Sequence, residues 1–300
     1  MEEYEIQPKE TLSYVGRALL FMALATLIST LIIEVFVNTY TPGVVDTEWY
    51  VWAVTAITVV GIGFPVFYFL IKRVPDSEKK QVVKLHISEF IILFFICVAT
   101  MYITNYFGVF VNFIISKVTG KEMYDPLTDL VLNSNIFITF LYGVIIAPVV
   151  EELIFRKFLL NKIRRFGELP AILITGFAFG LFHMNLSQFF YATALGFLFA
   201  YITLKTNTVR YSILLHMMIN GIGTTVGPIL VRNEDLGLIM LMGLWVIVSI
   251  TIGITFLALN VKKIKFEKAE IPVEKKSVYF FNTGTILYTL LCLIIMVMVL

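Results

Sequence analysis

Apolar stretches long enough to cross a lipid bilayer recur along the whole chain, and that repetition limits the possible folds more than any other feature. A hydrocarbon core takes about 20 helical residues to cross. Nine stretches approach or exceed that length: residues 15–37, 49–71, 87–116, 136–160, 169–184, 187–205, 208–227, 236–260 and 279–299. The fifth and sixth are short, so one of them is a candidate for partial re-entry. The expected fold is therefore all-α, a polytopic transmembrane helix bundle of about 8–9 spans in the cell membrane, with lipids as its first partners.

Composition agrees, since 59% of residues are hydrophobic, only 15% are charged, and mean hydropathy is +0.89. A water-soluble core of this length needs no such excess. Polar stretches such as KRVPDSEKKQVVK are too short to build a second core and read as solvated linkers. Net charge is only +2, which offers nothing to a nucleic-acid partner, and none is expected. Distribution is more telling. Basic residues gather before span one and after spans two, four, six and eight, leaving only Lys117, Lys121 and Arg232 in the opposite set of loops. Lys and Arg favour the cytoplasmic side, so the N-terminus is expected in the cytoplasm. The opening MEEYEIQPKE is acidic where a cleavable signal is basic, so no signal peptide is expected. Cys97 and Cys292 lie inside apolar segments and read as packed, reduced thiols.

Charged groups deep in a bilayer are costly and need a partner, a wet cavity or a function. In span four, IFITFLYGVIIAPVVEELIF places Glu151 beside Glu152, with Arg156 four residues after the latter. On a helix Glu152 and Arg156 share a face and can pair. Glu151 projects about 100° away and is free for other work. Pro148 removes one backbone hydrogen bond just upstream and can open room for water.

Two of the three histidines, His183 and His216, also sit inside apolar stretches. Phe179 precedes His183 by one helical turn and Asn220 follows His216 by one turn, each pair sharing a face. At about 1.5 Å per residue, Glu151 lies ~18 Å, His183 ~20 Å and His216 ~9–13 Å from the inner ends of their spans. Three separate helices thus bring polar groups to compatible depths. His86 reads as an interfacial residue, and Glu34 and Glu89 lie close enough to span ends to snorkel. Asn105 and Asn112 read as helix-to-helix glue, and Gly176, Gly180 and Gly196 as sites of close helix packing.

Together these residues compose an ordered set: EExxxR at Glu151, Glu152 and Arg156, FxxxH at Phe179 and His183, and HxxxN at His216 and Asn220. Across roughly residues 136–225 the chain resembles the CPBP family, the CAAX protease and bacteriocin-processing (Abi) membrane proteins that include the type II CAAX prenyl endopeptidases. A ninth span departs from the eight associated with those endopeptidases. The resemblance implies an intramembrane endopeptidase acting on membrane-associated peptides or proteins, with a catalytic core at 136–227 between flanking spans at 1–135 and 228–300. It implies that Glu151 and His183 activate water, that His216 and Asn220 stabilise an oxyanion or bind metal, and that Glu152, Arg156 and Phe179 support the site.

The physical chemistry is compatible with that reading. A low-dielectric pocket suits a carboxylate to general-base work, and a polar donor stabilises a tetrahedral oxyanion. A His183, His216 and Glu151 set would also suit Zn²⁺ with one position open to water. The metal label follows family convention, while the residues alone leave a metal-free glutamate mechanism equally open. Two other classes use such residues: a non-catalytic regulatory or bacteriocin-immunity membrane protein, and an ion-coupled transporter. Missing internal repeats and a polar cluster confined to neighbouring spans count against the transporter.

Overall fold

A computed structural model describes residues 7–78, 80–121, 125–232 and 235–299. The first six residues and Lys79, which enter the signal-peptide and charge readings, lie outside the described residues. The described chain is a helical bundle. Its helices are α1 (Pro8–Tyr40), α2 (Tyr50–Ile71), α3 (Ile87–Thr119), a short α4 (Pro126–Asn133), α5 (Ile136–Phe166), α6 (Glu168–Phe182), α7 (Leu186–Thr206), α8 (Arg210–Leu230), α9 (Leu236–Lys263) and α10 (Thr283–Val299). Among the described residues seven of these are long and apolar enough to cross a membrane, which makes the chain a multi-pass membrane protein.

Helix boundaries follow local capping chemistry. The Asp125 carboxylate accepts from Leu127 N–H at 3.3 Å to start α4, and Asn135 accepts from Phe137 N–H at 3.0 Å to start α5. His86 caps α3 reciprocally, its own N–H donating to Glu89 at 2.8 Å. The interfacial role expected of His86 and Glu89 is thereby tied to a helix start. Gly167, with φ +111°, turns the chain sharply from α5 into α6. Of the two short spans, the fifth is the deficient one: α6 has 15 residues, too few to span alone, whereas α7 has 21. The last helix starts at Thr283, four residues later than the apolar pattern suggests, because the Asn282 side chain accepts from Thr285 N–H at 3.0 Å and fixes the cap there. The α4 helix is an addition that the nine-span reading did not contain.

Lipid tails are as apolar as leucine, so close packing rather than water exclusion holds such helices together. At the α6–α7 crossing, a Cβ on Gly196 would stand 2.8 Å from the Gly176 Cα, so two bare backbones meet there. The packing role expected of these glycines holds. Asn112 on α3 donates to the Ser187 hydroxyl on α7 at 2.8 Å, as helix glue should. The α10 helix packs along α1, and Tyr288 on it donates to the Ala178 carbonyl of α6 at 2.9 Å. Cys97 and Cys292 are free and buried. Large apolar side chains such as Leu31, Phe110 and Ile247 face outward, the arrangement a lipid solvent favours. Packed against one another, α5, α6, α7 and α8 enclose the polar residues of the next section.

Candidate active site

Helix α5 carries three of the singled-out residues and is irregular around them. Two π-helical stretches, Phe140–Ile146 and Leu153–Leu160, bracket a regular α-helical turn at Ala147–Glu152. Pro148 lies in that turn and can donate no backbone hydrogen bond. Such π insertions widen a helix and often accompany functional sites. Here they frame the two glutamates.

Glu152 is fully buried, and its Oε1 lies 3.1 Å from Nη1 of the fully buried Arg156. The guanidinium also donates to the Gly196 carbonyl at 3.4 Å and sits over the Phe179 ring, 4.3 Å from its centroid. Buried charges need this kind of pairing to offset lost solvation. The expected i,i+4 pair is present, and Phe179 supports the cation from α6.

His216, buried on α8, stands between the two glutamates. Its Nδ1 is 3.1 Å from the same Glu152 oxygen, and its Nε2 is 3.6 Å from Glu151 Oε2. Glu151 is therefore less independent of its neighbour than the helical angle suggests. The two carboxylates diverge, but the imidazole nitrogens also point in different directions, so one ring faces both. Phe199 of α7 stacks on the ring at 5.1 Å, and Phe179 meets it edge-on at 5.6 Å. A ring fenced by two aromatics and held at Nδ1 has little freedom left.

His183 closes the C-terminal end of α6. Its Nδ1 pairs with the Phe179 carbonyl at 2.9 Å, and its ring meets the Phe179 ring edge-on at 5.0 Å. The i,i+4 spacing thus orients the histidine, leaving Nε2 free of that bond. Phe179 lies against both histidines. Glu151, His216 and Arg156 are all within electrostatic reach of His183.

Asn220 takes a different place. It faces α5 as His216 does, but one turn away its Nδ2 donates to the Gly143 carbonyl at 2.8 Å. The structure thus gathers Glu151, Glu152, Arg156, Phe179, His183 and His216, and engages Asn220 with backbone in the first π stretch. Four contributors escaped the sequence reading. Phe199 stacks on His216, Ser212 lies against Glu152, and Tyr142 and Tyr191 lie within electrostatic reach of Glu151. The tyrosines looked like ordinary membrane aromatics, and nothing in their spacing marks them.

Zinc asks for three suitable side chains around one point. Among the described residues no group of three His, Cys, Asp or Glu gathers closely enough to hold a metal ion. In the described geometry His183, His216 and Glu151 are not drawn into such a group.

Fold and site together define a multi-pass membrane protein with carboxylates and imidazoles sunk among its helices. The family model described as type II CAAX prenyl endopeptidase Rce1-like matches residues 133–222, just under a third of the chain. A curated Bacillus subtilis (strain 168) protein named "Putative membrane peptidase YdiL" is 28% identical over 102 residues, 34% of this chain and 42% of that relative. The match thus spans less than half of the relative's length. No solved structure matches. The chain resembles the CAAX protease family, and both comparisons support a membrane protease.

Proposed function

We propose that this protein is an intramembrane endopeptidase that hydrolyses peptide bonds of membrane-associated peptides or proteins by a glutamate-dependent mechanism. The observation that carries the reading is the 3.6 Å approach of His216 Nε2 to Glu151 Oε2, with the imidazole fixed from behind by Glu152. That gap is too long for a direct hydrogen bond and short enough for both atoms to contact one water.

In this reading Glu151 removes a proton from the attacking water, with the free Nε2 of His183 helping to orient it. The water oxygen adds to the scissile carbonyl carbon and the carbonyl becomes a tetrahedral oxyanion. His216, when it carries a proton on Nε2, donates to that oxyanion. The C–N bond then breaks as Glu151 returns its proton to the departing amine, leaving a carboxylic acid and an amine. Glu152 and Arg156 hold the His216 ring and do not touch the reacting atoms. Asn220 is a positioning residue, because its link to Gly143 fixes α8 on α5 one turn from His216.

The test is cleavage of membrane-anchored peptides by purified protein in liposomes, with mass spectrometry of the fragments. Internal cleavage near the membrane surface supports the reading. Intact peptides across prenylated, acylated and unmodified anchors would contradict it.

A further inference from the structure

A second polar region lies outside the site just described. Where α2, α5 and the α7–α8 turn come together, on the side of the bundle that carries the basic loops, a cavity of about 860 Å³ opens. Its wall carries seven cationic residues and two acidic ones. Three of the cations already pair with carboxylates: Lys162 with Asp76 of the same wall at 2.6 Å, Arg156 with Glu152 and Lys80 with Glu267. Four meet no carboxylate within ion-pair distance among the described residues. Arg164 donates both terminal nitrogens to the neutral Asn207 side chain at 3.1 Å. Lys72 rests on the Phe69 ring, while Lys157 and Arg210 are exposed. Against these stands Glu78, since Asp76 is already taken by Lys162 and Asn161.

We propose that this cavity binds a phosphate-bearing anion, namely the headgroup of an anionic membrane phospholipid. Three observations favour that ligand chemistry. Cations without a paired carboxylate converge on one concavity, whose walls focus their field on an anion. Its volume exceeds what a lone carboxylate fills and admits a headgroup with its glycerol. Tyr68 and Phe158, with rings 5.2 Å apart, line the same cavity and offer an apolar wall beside the charges. Basic pockets between transmembrane helices suit acidic headgroups for these reasons. The cavity reaches Arg156, so an anion held there lies near the residue that braces Glu152. This inference does not depend on the peptidase reading.

The experiment compares full-length wild type with a Lys157→Gln/Arg210→Gln double variant and a Lys275→Gln/Lys276→Gln control, whose changes lie outside the cavity. Each is placed in nanodiscs of phosphatidylcholine containing a minority of phosphatidylglycerol, and co-purifying lipid is counted by native mass spectrometry. A parallel arm titrates inorganic phosphate against thermal unfolding in detergent. Because the substituted side chains are solvent-exposed, unfolding temperatures without ligand should agree and show that all three fold. Wild type and control should retain phosphatidylglycerol in preference to phosphatidylcholine, and the cavity variant should lose about tenfold of that preference. Stabilisation by phosphate, lost in the cavity variant, without lipid preference would keep the phosphate site and assign it to a soluble source. Equal lipid preference in all three proteins with no phosphate response, or equal loss in both variants, would overturn the site.

Discussion

His216 Nε2 lies 3.6 Å from the Glu151 carboxylate, across a helix-to-helix contact that joins residues 65 positions apart. Neither group would tolerate that depth in a bilayer alone. Their approach is built by the elements around them: π insertions that present Glu151, a buried Glu152–Arg156 pair that anchors the other imidazole nitrogen, and aromatic rings that fix the plane.

The Glu152–Arg156 pair is the first point at which this construction can be broken. Glu152→Ala leaves a guanidinium buried without its carboxylate, a loss of about 3–5 kcal/mol. Replacing both residues by methionine should cost less than either single change, because no bare charge remains. Thermal unfolding in detergent checks the order. Equal or greater damage in the double variant would contradict it.

Gly196 offers a steric test. A methyl group there meets the Gly176 Cα at 2.8 Å, so Gly196→Ala must part α6 from α7. The expected destabilisation is about 1–3 kcal/mol, and peptide cleavage should fall as well, since α6 carries Phe179 and His183. Wild-type unfolding temperature and turnover would show that the helices can separate without disturbing the site.

These two tests also mark what the sequence makes legible. Bilayer thickness sets the length of a spanning stretch, so seven of the helices among the described residues could be read directly as spans, while α6 and α10 are shorter. Glu151, His183 and His216 stood out because charge and hydrogen-bonding capacity are expensive in lipid. Other features depend on tertiary contact. Asn220 meets a backbone carbonyl, which every residue possesses, and Phe199 is one of 27 phenylalanines until α7 lies against α8. Apolar periodicity likewise says little about α4, which lies between two spans, or about the π stretches of α5.

A pH-dependent contact lies outside the membrane. Lys80 beside Glu267 holds that carboxyl below its usual range, and the Glu267 N–H donates to Glu168 at 2.8 Å. A lowered folded-state pKa contributes stability above the unfolded value, about 4.5, and loses it as pH falls through the folded value. The loop 264–276 should therefore become more open to limited proteolysis in acid. Glu267→Gln should show much of that susceptibility already at neutral pH. Identical cleavage of both proteins across the range would remove the contact from the account.

Chelation separates the two hydrolytic chemistries. With no three metal-binding side chains gathered among the described residues, peptide cleavage by the proposed glutamate mechanism should persist after dialysis against a strong zinc chelator. Elemental analysis of the active protein should find less than one zinc per chain. Loss of turnover on chelation and recovery with zinc would show that His183, His216 and Glu151 rearrange around a metal.

The most direct test of the catalytic reading is Glu151→Gln, which keeps shape and removes the basic oxygen. In liposomes, under single-turnover conditions, the variant should retain the wild-type unfolding temperature and lose at least about 10²-fold in cleavage rate. A folded Glu151→Gln protein that cleaves membrane-anchored peptide at the wild-type rate would contradict the assignment of Glu151 as the base.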